Sequence, residues 1–295
     1  LTSAGDRLSG VGRGMEMAGR SLTVGLTAPI TALAGLSTKA AIDFESAFAG
    51  VCKTVNGTEA EFDALEQGIR DMAKEIPASA IEIAKVAEAA GQLGIQKSNI
   101  LGFTRTMTDL GVATNLSSDQ AATALARLAN ITQMPQDEFD RLGSTIVALG
   151  NNLATTESEI VSMGLRIAGA GKQIGLTEAQ ILAFAGALSS VGIEAEAGGS
   201  AISRVMIDIS QAVQTGSKNL SLFAAVAGQS ASQFQASFKQ DAAGAVLDFI
   251  EGLGKMSAAG ANTFGVLDKL KLSEITVRDA LLRASNAGDL FRRSI

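Results

Sequence analysis

"VAEAAGQLGIQKSNILGFTRTMTDLGV", residues 86–112, decides the fold when it is set above "IAGAGKQIGLTEAQILAFAGALSSVGI", residues 167–193. The two align without a gap at an offset of 81, and eight of the 27 columns are identical: Ala87/Ala168, Ala89/Ala170, Gln92/Gln173, Gly94/Gly175, Ile100/Ile181, Leu101/Leu182, Phe103/Phe184 and Gly111/Gly192. Most other apolar columns exchange Val, Ile, Leu and Met. The register continues into the next segment, where Ala121, Ala124, Leu125 and Leu128 align with Ile202, Val205, Met206 and Ile209. Upstream, "EFDALEQGI" (61–69) matches "EFDRLGSTI" (138–146) at an offset of 77, so the second unit has gained four residues. Self-similarity at a fixed period is the mark of stacked supersecondary units. The chain therefore divides into an N-terminal glycine- and alanine-rich helical segment (1–57), helical repeat 1 (58–134), helical repeat 2 (135–216) and a C-terminal helical segment (217–295), each repeat holding four short helices.

Capping signals mark the helix starts. Thr58 with Glu61, Ser117 with Gln120, Thr156 with Glu159 and Thr177 with Gln180 have capping-box spacing, in which each side chain satisfies a backbone N–H of the other's turn. Pro135 suits a first helical position, with Asp137 and Glu138 at the positive end of the dipole. Phe62, Leu65, Ile69, Met72 and Ile76 step by three and four, and so do Ala121, Ala124, Leu125, Leu128 and Ile131. Aromatic residues make up 4% of the chain, all of them Phe, and no long run alternates with the period of a strand. The predicted fold is all-α, a multi-helix array with an internal duplication of a four-helix unit.

"AGAGKQIGL" (168–176) imitates a phosphate loop but does not complete one. The G-x-x-x-x-G-K-S/T pattern needs a glycine where Arg166 stands and a hydroxyl where Gln173 stands. Its counterpart "AEAAGQLGI" has Gly91 in place of Lys172. These glycines and alanines belong where a helix ends and a neighbour comes close, so the stretch reads as a packing joint.

The absence of histidine removes Ser-His-Asp and Cys-His catalysis, His metal ligation and a histidine pH switch. The single Cys52 can neither close an intramolecular disulfide nor build a thiolate zinc site. It reads as a buried small hydrophobe beside Lys53. Net charge is −6, the isoelectric point is near 4.9, and no basic cluster exceeds Arg292–Arg293, which argues against nucleic-acid readout. Glu194 and Glu196 lie two apart and point to different helix faces, so they serve the dipole of the following helix rather than one substrate. The methionines fall at helical apolar positions as core filler, and "GVGRG" (10–14) reads as a flexible lead-in. No catalytic, cofactor or metal site is predicted, nor a small-molecule substrate; the chain is not expected to be an enzyme. Its first residue is Leu1, which suggests an internal piece of a longer polypeptide. The uncharged stretch 21–38 reaches the lower limit of a membrane span, but four threonines, two serines and Pro29 favour a helix buried between neighbours.

"LTAPITALAGLSTKAAIDFESAFAGVCKTVNG" (26–57) resembles the segment that opens the conserved core of tape-measure proteins from tailed phages. That family has a T-x-P-I/L stretch, an A-x-x-F-E motif, then spaced valines and a glycine. Here these are Thr27, Pro29 and Ile30, then Ala41, Phe44 and Glu45, then Val51, Val55 and Gly57. "EAEAGGSAISRVM" (194–206) is similar to the family's A-G-T/S-A stretch through Gly198, Gly199, Ser200 and Ala201, and "LDKLKLSEITVRDALLRAS" (267–285) resembles the end of the core. The resemblance spans about residues 22–287. It implies a structural virion protein in the lumen of the tail, found in the host cytoplasm during assembly. That protein sets tail length and leaves ahead of the DNA. It also implies self-association and contact with tail-tube, tail-tip or baseplate and assembly-chaperone proteins. The helices read here are short and no heptad array persists, so the ruler is expected outside residues 1–295. Two other readings stand beside this one: a membrane-active translocator that contacts the host envelope, and a helical scaffold that binds peptides in a repeat groove.

Thirty-two glycines, among them Gly68, Gly102, Gly186, Gly244 and Gly252 in helical runs, add an expectation about stability. Each interior glycine costs a helix about 1 kcal/mol relative to alanine. The isolated chain is therefore expected to melt easily, unless the small residues serve tight crossings.

Overall fold

The computed structural model describes residues 28–294, which are all-helical: fifteen α-helices and one 3-10 turn, with no strand among them. Thr27 and the "GVGRG" stretch lie outside the described residues. In chain order the helices are α1 (Ala28–Thr54), α2 (Glu59–Glu75), α3 (Ala80–Gln92), α4 (Ile100–Ala113), α5 (Ser118–Thr132), α6 (Phe139–Asn152), α7 (Glu157–Gln173) and α8 (Glu178–Ser190). They continue with α9 (Ala195–Thr215), α10 (Lys218–Val226), α11 (Ala231–Gln240), α12 (Ala242–Ala258), α13 (Thr263–Lys269), α14 (Ile275–Ser285) and α15 (Gly288–Ser294).

Local chemistry sets the ends of these helices. The Ser117 hydroxyl accepts the Gln120 N–H at 3.2 Å while the Gln120 side chain accepts the Ser117 N–H at 2.9 Å. Thr156 with Glu159 and Thr177 with Gln180 form the same reciprocal pair. At the start of α2 the Thr58 N–H donates to the Glu61 carboxylate at 2.8 Å and the Thr58 hydroxyl at 3.1 Å. Ser79–Glu82 and Ser230–Gln233 add two further boxes. Pro77 ends α2, because the residue before a proline is pushed out of helical geometry and Ile76 is extended (φ −104°, ψ 139°).

Pro135 does not occupy a first helical position. It opens a turn closed by the Glu138 N–H donating to the Pro135 carbonyl at 3.2 Å, and α6 starts only at Phe139. The chain leaves α5 through the left-handed Gln133 (φ 59°), two residues before Pro135. Consequently Glu138 is an N-cap, whereas Glu61, which aligns with it, lies inside the first turn of α2.

The two four-helix units pack the same pairs of helices. In α2–α5 the first helix touches the second and third, the second touches the third and fourth, and the third touches the fourth; α6–α9 repeat this pattern. The neighbours correspond too: α1 lies on α3 as α5 lies on α7, and α6 lies on α4 as α15 lies on α8. Ala87 and Ala168, Ile100 and Ile181, and Phe103 and Phe184 are all buried. Buried side chains from Phe44 in α1 to Phe291 in α15 join one core, which draws on all four sequence segments.

Some matched positions differ. Ile131 is exposed, and Thr132 takes the buried place at the end of α5, donating its hydroxyl to the Leu128 carbonyl at 3.0 Å. Phe62 is half-buried while Phe139 is buried, because α6 lies between α4 and α8 whereas α2 packs within its own unit. Gly111 sits inside α4, where an added Cβ would collide with Ser118, while Gly192 holds φ 72° after α8 has ended. Of the interior glycines, Gly252 brings α12 against the Val226 carbonyl, and a Cβ on Gly68 would meet Leu101 at 2.8 Å. A Cβ on Gly102 or Gly169 would touch nothing within 4 Å.

Candidate functional site

The joint at "AGAGKQIGL" takes the same form in both units. Gly94 (φ 80°) and Gly175 (φ 87°) follow the ends of α3 and α7 in the left-handed conformation that glycine tolerates best. In the first unit the Ile95 N–H donates to the Ala90 carbonyl at 3.0 Å; in the second the Leu176 N–H donates to the Gly171 carbonyl at 2.9 Å. Both are Schellman closures, which use up the carbonyls a helix end leaves free. The next backbone donors are handled differently. In the second unit Thr177 and Gln180 cap α8 directly. In the first, Gln136 reaches over from the following unit, accepting the Gln96 N–H at 2.7 Å and donating to the Gly94 carbonyl at 3.3 Å. Lys172 is exposed. Preceded by helix and followed by helix, these glycines form a helix-to-helix joint.

Glu194 is the N-cap of α9 and Glu196 lies in its first turn, where negative charge suits the helix dipole. Glu196 pairs at 3.8 Å with Arg166 of α7, a residue whose Cβ lies so close to Gly199 that no side chain fits there. The pair thus helps lay α9 on α7. Cys52 is exposed, contrary to the buried role its sequence surroundings suggested. The core face of α1 is Phe44, Phe48 and Val51, and Cys52 follows Val51 by one residue, which rotates it off that face. Among the described residues, no group of three or more cysteine or carboxylate side chains is placed to hold a metal ion. No helix among them is long and apolar enough to cross a membrane.

Surface features remain as candidates. A groove of about 410 Å³ between α4 and α6 is lined by Thr106, Asp109, Leu110, Asp140, Gly143 and Val147. Burial pushes the Asp109 carboxyl above its ordinary value, Arg105 opposes the shift and Asp140 adds to it. A second groove of about 500 Å³ lies between α6 and α15. Apolar side chains also stand in water at Ile42 of α1, Ile207 of α9, Phe264 of α13 and Ile275 of α14. Sequence periodicity alone did not single out Phe264 or Ile275, because their helices are of seven and eleven residues and too short to show a stripe.

The described surface thus carries capped helices, grooves between them and apolar side chains left outside. No curated protein and no solved structure matches this chain. A family model described as phage-related minor tail protein matches residues 66–269, from α2 to the end of α13 and about two thirds of the chain. On that match over more than half of the chain, the chain belongs to the phage-related minor tail protein family, a structural component of phage tails.

Proposed function

We propose that this chain is the conserved helical core of a phage tail tape-measure protein, which determines tail length during assembly and is ejected ahead of the DNA. The observation that carries this reading is the family match over residues 66–269, with the 26–57 motif before it and the 267–285 motif running on from its end. The longest described helix, α1, has 27 residues, so at 1.5 Å per residue it spans about 40 Å. A core of this kind measures no tail by its own length; the ruler lies elsewhere in the protein. The core's role is then to organise copies of itself and to contact the tail tube, the tail tip or baseplate and the assembly chaperones, in the virion lumen after assembly in the host cytoplasm.

The test is genetic and structural. In-frame lengthening of the ruler region outside residues 1–295 should lengthen tails by about 1.5 Å per added residue, measured by electron microscopy of purified virions. Disrupting the core, for example with Phe103→Asp, should block tail formation rather than change tail length. Tails of unchanged length in the first case, or normal tails in the second, would overturn the proposal. Self-association is read separately, by sedimentation of the 295-residue chain over a concentration series.

A further inference from the structure

Charge is distributed unevenly along the array. Residues 39–96, which build α1 to α3, carry ten acidic and five basic side chains, whereas residues 263–295, which build α13 to α15, carry four and six. Within the second stretch Arg292 pairs with Asp248 and Glu251 of α12, Arg283 with Asp279, and Glu274 with Arg204, while Lys271 and Arg278 lie in the segment that carries Phe264 and Ile275. At the acidic end, residues 39–43 are exposed on every side of α1 before Phe44 turns into the core. Ile42 is 59% exposed there, with Asp43 and Glu45 exposed beside it.

At the basic end Phe264 is 54% and Ile275 is 74% exposed. The Arg278 guanidinium lies 5.0 Å from the Phe264 ring centroid, and Ile275 precedes Arg278 by one helical turn, so the three form a single patch. Lys271 sits in the turn between α13 and α14 with φ 61°, a conformation that favours glycine. Arg204 of α9 holds that turn by donating to the Lys271 carbonyl at 2.8 Å. A lysine is thus kept where the backbone prefers glycine, in the turn that joins the helices carrying the two exposed apolar side chains.

We infer that the Phe264–Ile275 patch receives the Ile42 turn of α1 from a second copy of this chain, joining copies head to tail. Ile42 supplies the apolar anchor, and Asp43 and Glu45 meet Lys271 and Arg278. The complementary charge sets the orientation of approach. Because the two surfaces differ, the contact is heterologous and leaves one surface open at each end of a pair. This rests on the self-association reading above and adds its geometry.

The test uses two variants of the 295-residue chain, Ile42→Asp and Ile275→Asp. Both side chains are exposed, so each variant should keep the wild-type helical circular dichroism; Ile42→Ser and Phe264→Ser form a milder second pair. In sedimentation velocity the wild type should associate as concentration rises, and less so at high salt. Each variant alone should stay monomeric. An equimolar mixture should give a one-to-one dimer and nothing larger, since only one intact head-to-tail contact remains available. A mixture that stays monomeric, or either variant associating alone as the wild type does, overturns the head-to-tail contact but not self-association. A wild type that is monomeric throughout overturns both.

Discussion

The ring of Phe291 packs against Phe184 at 5.9 Å, with the ring planes tilted by 57°. Phe103, which aligns with Phe184, meets Phe139 edge-on at 4.7 Å. One aromatic socket is thus filled by the next unit and the other by the last helix of the described chain. α15 closes the second unit in the way that α6 closes the first.

Phe291→Ala and Phe139→Ala should each destabilise the protein by about 3–5 kcal/mol, the usual cost of emptying a phenylalanine site in a packed core. Arg292, whose side chain pairs with Asp248 at 2.7 Å, holds α15 on α12, so the effect at Phe291 should persist despite its place in the final helix. Chemical denaturation of the two variants checks this. A loss at Phe291 below about 1 kcal/mol would show that α15 is not part of the cooperative core.

Glycine substitutions should separate helix cost from packing need. Gly102→Ala and Gly169→Ala face open space and should each stabilise by about 0.5–1 kcal/mol. Gly252→Ala should destabilise, since its Cβ would overlap the Val226 carbonyl, a backbone atom that cannot swing aside. Thermal unfolding of the three variants reads both signs. If all three stabilise, the close crossing of α12 with α10 is wrong.

Gln133 holds φ 59° at the end of α5. A non-glycine residue pays about 1–2 kcal/mol for that conformation. Gln133→Gly should therefore recover most of it, less the lost bond from the Gln133 amide to the Asn130 carbonyl at 2.6 Å. The opposite change at the joint, Gly175→Ala, should destabilise by a similar amount, while Lys172→Ala leaves both stability and a calorimetric titration with ATP flat. Heat from ATP that disappears with Lys172→Ala would restore the nucleotide reading.

Acid should weaken the caps. The Lys97 ammonium, at 2.6 Å, and the Thr58 donors hold Glu61 down at about 2, and backbone N–H donors at Ser79 and Thr156 lower Glu82 and Glu159. Carboxylates whose folded pKa is depressed contribute stability that is present above the unfolded pKa and lost as pH falls through the folded one. Asp109 and Asp208, raised by burial, act in the other direction: their contribution is present at low pH and lost as pH rises through their folded pKa. The melting temperature should fall between about pH 5 and about pH 2. The double variant Glu82→Gln and Glu159→Gln keeps the capping geometry, so it should show a shallower fall. An identical pH profile for variant and wild type would remove these carboxylates as the cause.

The sequence alone determined the helical class, four of the capping boxes and the glycine-closed helix ends at Gly94 and Gly175, because each depends on chemistry within a turn or on a period of 3.6 residues. The family resemblance was likewise carried by short local motifs. Tertiary structure decided the remainder. Cys52 was placed outside because it lies one residue past Val51 on α1, and Pro135 opens a turn instead of a helix. Phe291 found Phe184 across more than a hundred residues of sequence. Whether a glycine is a cost or a necessity was also settled only by what packs against it: open water at Gly102, the Val226 carbonyl at Gly252. Local hydrogen bonding is written in neighbouring letters, whereas the close approach of two helices depends on both surfaces at once, and a single linear pattern records only one of them.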